Sequence, residues 1–148
     1  MINPLELMER KVAGFLLGTT ALEKYNILHG QTGEDRHLQA VIVYAESMDI
    51  PENLYETGNY VVKLSVHVIT SAYEENDLHP HGVKVHQDAV LAVFHRLQMV
   101  HELKQEFNEA TEGILYDLVF NGQDSGRDGN AAFANPFKFD AYYCLPPA

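Results

Sequence analysis

The chain has 148 residues, 46% of them hydrophobic, with 10 Lys and Arg against 21 Asp and Glu and a formal net charge of −11. The length suits one domain over residues 1–148, since a monomer of this size buries roughly 68–70% of its extended-chain surface, and the composition is that of a globular chain rather than a disordered one. The charge speaks against a phosphate-tracking surface, which needs clustered cations where these are scattered. It reads as solubility, as a surface that keeps off nucleic acid, or as one that meets a basic partner.

No run approaches the ~18 apolar residues of a membrane span, so no membrane partner is expected. The opening stretch MINPLELMERKVAGFLLG lacks a basic leader and carries Glu6 and Glu9 inside its apolar pattern, so it does not read as a signal peptide. Cys144 is the only cysteine. It can form no internal disulfide, and a reducing compartment is expected.

Asn3 before Pro4 suits an N-cap and first-turn pair. Leu5, Met8, Val12, Phe15 and Leu16 recur at helical spacing, which predicts a helix over 4–17 ending at Gly18. The segment 19–37 is polar and loop-like, with a short strand at most near Tyr25–Leu28. Ala40–Tyr44 is a short β-rich run. Tyr60–Thr70 alternates, with Val62, Leu64, Val66 and Val68 on one face and Val61, Lys63, Ser65, His67 and Ile69 on the other.

After a polar loop, Val83, Val90, Phe94 and Leu97 predict a helix over 83–98, with His86, Asp88 and Arg96 off its apolar stripe; a second short piece is expected at 99–107. Ile114–Phe120 reads as a strand. Asn121–Asn130, with three Gly, reads as a flexible loop. Phe137–Leu145 reads as a final strand stopped by Pro146 and Pro147. The order α-β-β-α-β-β, with strands in adjacent pairs, predicts an α+β fold: an antiparallel or mixed sheet of two hairpins with two main helices on one face.

Eight histidines raise the question of metal. His79, His81 and His86 in HPHGVKVH could converge on zinc, with Asp77 or Asp88 as the carboxylate of a small hydrolase. No HExxH or Cys-rich spacing accompanies them, and surface histidines are the commoner case. His67 and His95 read as exposed or packed. Cys144 has no histidine close in sequence and reads as a small packed residue. GQDSGRDG, from Gly122 to Gly129, follows no phosphate-loop spacing, and Glu74 with Glu75 read as solvated acids. No cofactor and no catalytic residue is expected.

Surface features remain. The stretch ESMDIPENLYETGN, expected to be a loop, carries Glu46, Asp49, Glu52 and Glu56 together with Met48, Ile50, Leu54 and Tyr55. Four large apolar side chains mean that it either folds back on its own core or docks on another subunit. The 121–130 segment suits contacts that order on binding, with Arg127 and Asp128 as its charged pair.

LQAVIVYAESMDIPENLYETGNYVVKLSVHVITSA, from Leu38 to Ala72, resembles the central hairpin of the tail terminator proteins of long-tailed, lambda-like phages. There a short apolar strand ending in Val-Tyr leads through an acidic loop to a long alternating strand with a histidine in its middle. ILYDLVFNGQDSGRDGNAAFANPFKFDAYY, from Ile114 to Tyr143, is similar to that family's C-terminal pair, and the two helices fall in the same order. The resemblance implies a ring, usually a hexamer, that caps the tail tube, stops its growth and meets a head-side connector. The family also holds head-side connectors of the same fold. It further implies a virion protein of the tail and neck, assembled in the host cytoplasm, whose ring surrounds the genome. A lumen that lets DNA slide without specific binding is consistent with the −11 charge. Glu46, Asp49, Glu52, Glu56, Arg127 and Asp128 are then the expected partner contacts.

Overall fold

A computed structural model describes residues 3–30, 39–50, 58–71, 81–123, 127–128 and 132–146; the side chains of 71, 81–83, 123, 127–128 and 132–135 lie outside the description. The elements run α1 (Pro4–Leu17), a short 3-10 turn (Thr20–Leu22), β1 (Asn26–His29), β2 (Ala40–Asp49), β3 (Asn59–Ser71), α2 (His81–Leu97), α3 (Val100–Gln105), β4 (Ile114–Gln123), β5 (Arg127–Asp128) and β6 (Ala132–Cys144). The fold is mixed α+β, with all strands in one sheet of order β1-β2-β3-β6-β4 and β5 beside β6.

The α1 start is as the sequence predicts. The Asn3 side chain accepts from the N–H groups of Leu5 and Glu6, and Pro4 occupies the first turn. Met8, Val12, Phe15 and Leu16 are buried, joined by Leu7 and Ala13. Gly18 ends the helix without a left-handed turn, at φ −79°. Its reason is space, because a Cβ there would come 3.1 Å from Arg96 Nη2. Arg96 donates to the Phe15 carbonyl at 3.0 Å and lies over the Phe15 ring, its guanidinium carbon 3.6 Å from the centroid. The last turn of α1 is thus held by α2.

β2 and β3 form the expected antiparallel hairpin, Ala40 opposite Ile69 through Asp49 opposite Val61, with an irregularity between Ala45 and Ser47. Val62, Leu64, Val66 and Val68 do face the core, together with Phe137, Phe139, Ala141 and Tyr143 of β6. The helices pack on that face. The opposite face carries a smaller cluster of Ala40, Ile42 and Ile69 with Leu28.

Four expectations need correction. First, the short strand expected near Tyr25–Leu28 is present as β1, and it adds to the expected order a strand paired parallel with β2. Second, the C-terminal strands do not form a simple hairpin. β6 lies between β3 and β4, paired antiparallel with both, and β5 interrupts the stretch expected to be loop. Third, β6 begins at Ala132, through Pro136. That proline falls between Phe137, the last partner of β4, and Phe133, the first partner of β5, so among the described residues β3 alone pairs with β6 there. Fourth, the buried stripe of α2 is His86, Ala89, Val93 and Leu97, with Val90 and Phe94 only partly buried. His86 enters the core because its Nδ1 hydrogen-bonds Thr70 Oγ1 at 2.8 Å, and both side chains are buried.

Glu9 is the other buried polar group of note. β1 ends after four residues while β2 continues, so among the described residues the β2 main chain beyond that point has no strand on this side. The Glu9 carboxylate accepts the Ala45 N–H there at 2.7 Å.

Candidate assembly interface

β4 stands at one edge of the sheet, and among the described residues no strand pairs its outer side. Its beginning is fixed by packing. Gly113, at φ +96°, lies so close to β6 that a Cβ would sit 2.2 Å from the Cys144 carbonyl oxygen. Beside it the Tyr143 hydroxyl donates to the Glu112 carbonyl. Burial, more than the neighbouring Cys144 and Glu112, pushes the Tyr143 hydroxyl pKa up to about 12.

The Glu112 carboxylate binds Lys11 Nζ at 2.8 Å and accepts the Asn108 N–H at 2.9 Å. The Lys11 hydrogen bond, with that N–H second, holds its pKa below the usual carboxylate value. Lys11 also donates to the Glu106 carbonyl at 2.7 Å. The segment from α3 into β4 is therefore tied to α1.

Edge strands in natural proteins are commonly guarded by lysine, proline or bulges. β4, ILYDLVFNGQ, has neither lysine nor proline, and Asp117 is its only charge. It does have register irregularities at Leu115/Asp117 and at Phe120/Gln123. Between them Val119 and Phe120 are each 41% exposed, and Tyr116 at the first irregularity is 51% exposed. Phe120 rests edge-on against Phe94 at 5.1 Å and Phe139 at 5.6 Å between ring centroids, so the strand is packed from the core side. The Leu118 N–H is bonded at 2.9 Å by the carboxylate of its own neighbour, Asp117.

A groove of about 660 Å³ runs beside this edge on the helix-free face, lined by Asn59, Tyr60, Tyr116, Asp117, Val119 and Tyr142 among others. Tyrosine-lined concavities suit protein contact, since the rings bring area at little conformational cost and the hydroxyls accept or donate.

The residues expected from sequence lie elsewhere. Glu46 and Asp49 are in β2 and not in a loop. Both are exposed, Glu46 in an ion pair with Lys138 of β6 and Asp49 at the strand's last position. On the same face Lys63 pairs with Asp140 at 3.1 Å. Met48 and Ile50 are 39% and 50% exposed, so these two of the four apolar side chains do not enter the core. Glu52, Glu56, Leu54 and Tyr55 fall outside the described residues. Arg127 and Asp128 form β5, opposite Phe133 and Ala132, with their side chains outside the description. His79 and the His81 side chain also lie outside it, and no metal-holding group of His, Cys, Asp or Glu occurs among the described residues. Tyr116, Val119 and Phe120 escaped the sequence reading. The available signal was a ten-residue strand with a single charge, but its edge position depends on pairings distant in the chain.

No protein-family model and no curated protein matches the chain. Solved structures do match, among them a chain of "Virion of native gene transfer agent (GTA) particle", at TM-score 0.61 and 18% identity over 93% of this chain and 94% of that one. The likeness is one of fold. It extends through nearly the whole of both chains, so it includes both the helix layer and the sheet.

Proposed function

We propose that this chain is a non-enzymatic structural component of a phage-like virion, and that it works as a tail terminator. In this reading copies form a ring, on the pattern of a hexamer, that caps the tail tube, stops its growth and offers a surface to the head-side connector. The single observation that carries it is the fold shared end to end with a chain of a gene transfer agent virion. The Leu38–Ala72 and Ile114–Tyr143 patterns add the terminator role, and an exposed apolar edge with a single charge gives an acidic chain a surface on which copies can meet without like-charge repulsion. The acidic balance also suits passage of DNA through the ring without ion pairing. Glu46, Asp49, Glu52, Glu56, Arg127 and Asp128 remain the proposed contacts to tube and connector.

The same fold likeness fits a head-side connector or tail-completion protein, and one experiment separates the two. The purified chain is added to growing tail tubes and to emptied heads, and both are imaged. A terminator arrests tube length and sits on tube ends; a connector leaves tube length unchanged and binds heads. About one tightly held zinc per purified chain would instead favour the hydrolase reading of His79, His81 and His86.

A further inference from the structure

Among the described residues the sheet ends at β1 on one side and at β4 on the other, and the two strands run in complementary senses. β1 runs parallel to β2, and each later neighbour across β3, β6 and β4 is antiparallel to the one before. β4 therefore runs opposite to β1. A second copy rotated about an axis along the strands would place its β1 beside the first copy's β4 in antiparallel sense, with both helix layers on the same side.

The backbone phase also agrees. The N–H groups of Asn26 and Gly30 bond the Gln39 and Val43 carbonyls, so those of Ile27 and His29 alternate outward. On β4 the Leu118 N–H bonds the Asp117 carboxylate, and the alternation of the strand then turns the Leu118 and Phe120 main chain outward. Pairing the outward residues in register leaves few choices. Setting Leu118 against His29 and Phe120 against Ile27 also sets Val119 against Leu28 and Asn121 against Asn26. Phe120 then meets Ile27 on the helix face and Val119 meets Leu28 on the other, Asn121 meets Asn26, and Leu118 faces the His29 imidazole. Sliding β1 by two residues in one direction sets Asp117 against Leu28 and Val119 against Asn26.

We propose that β4 of one copy takes β1 of a second copy as its next strand, antiparallel, with Val119 opposite Leu28 and Phe120 opposite Ile27. The Asp117 carboxylate guards the edge until the neighbour's main chain replaces it on the Leu118 N–H. The contact is heterologous, so repeated rotation closes a ring or extends a filament. The choice of β1 over a second β4 rests on the ring reading proposed above, because a two-fold β4–β4 contact stops at a dimer.

The test places cysteines at Leu28→Cys and Val119→Cys together in a Cys144→Ser background of the full chain. Directly opposed residues without mutual main-chain bonds lie about 4.5 Å apart at Cα, within disulfide reach. Mild oxidation should give a ladder of covalent multimers from the double variant and none from either single variant. A Val119→Cys chain that links to itself would establish the two-fold contact and overturn the assignment. Wild-type mass, alone and on tail tubes, is measured separately. Multimeric wild type with an unlinked double variant would overturn the edge pairing and leave the ring reading standing; monomer throughout, with no linking, would overturn both. Val119→Lys, folded by circular dichroism, should weaken self-association at least tenfold, and unchanged association would also sink the pairing.

Discussion

The carboxylate of Glu9, buried in α1, accepts the main-chain N–H of Ala45 at the point where β1 has ended and β2 continues. A helix side chain thus completes the ladder of a strand. Glu9→Ala leaves that buried N–H without its acceptor and should cost about 1–3 kcal/mol in denaturant unfolding. Glu9→Gln keeps an acceptor oxygen and should retain most of the stability. Equal losses in the two variants would mean that the hydrogen bond is not what matters.

Gly113→Ala should be among the most damaging small substitutions in the molecule. The added Cβ meets the Cys144 carbonyl at 2.2 Å and the residue sits at φ +96°. Main chain cannot move aside cheaply, and a loss of more than about 3 kcal/mol, or failure to fold, is expected. Gly122→Ala is the control. Its φ of +115° is also strained, but nothing lies within 4 Å of the new methyl. A loss of roughly 1–3 kcal/mol is expected there, from backbone strain alone. Thermal melts of the two variants give the comparison.

Stability should fall on the alkaline side through Tyr143. Its folded pKa, pushed up to about 12, lies above the ordinary tyrosine value of 10.0. The folded state therefore holds the proton more tightly than the unfolded state. That contribution is complete below pH 10 and is lost as pH rises toward 12. Tyr143→Phe removes the titration and should flatten the melting-temperature profile between these limits.

On the acid side Glu112 acts with the opposite sign. Its carboxyl is held below the ordinary value of 4.5, first by Lys11 and then by the Asn108 N–H. Its contribution is present above that value and declines as pH falls through the lowered one. Glu112→Gln should reduce the acid sensitivity of melting, and a profile identical to wild type would remove Glu112 from the account.

Phe137 is 1% exposed and touches Phe94, Phe120 and Phe139. Phe137→Ala should cost about 3–5 kcal/mol by equilibrium unfolding. It should also loosen the β4 edge, because Phe120 rests on the same cluster. Faster hydrogen exchange along β4 than along β2 in this variant would show it.

Much of this architecture is legible in local pattern. Asn3 and Pro4 mark the first helix, and the alternation from Tyr60 to Thr70 gives both the strand and its core face. What escaped depends on partners far along the chain. β1 is four residues long, and a parallel pairing leaves no hairpin turn to read. The start of β6 at Ala132, five residues before the expected Phe137, rests on pairing with β3, which is distant in the chain. His86 counts as polar until Thr70 is placed against it. Of the expected contact residues, Glu46 and Asp49 are exposed as anticipated, yet they sit in a strand, and the groove beside β4 draws on β3, β4 and β6 together.

β6 is the last strand in the sequence, yet it lies inside the sheet, joined to β3 by thirteen paired positions from Asn59–Cys144 to Ser71–Ala132. A nascent chain cannot finish its interior until that segment has been made, so the earlier strands wait with their apolar faces open. Formation should be slow for the length, because closing such distant pairings must precede their reward. During that interval the net charge of −11 opposes association between half-built molecules.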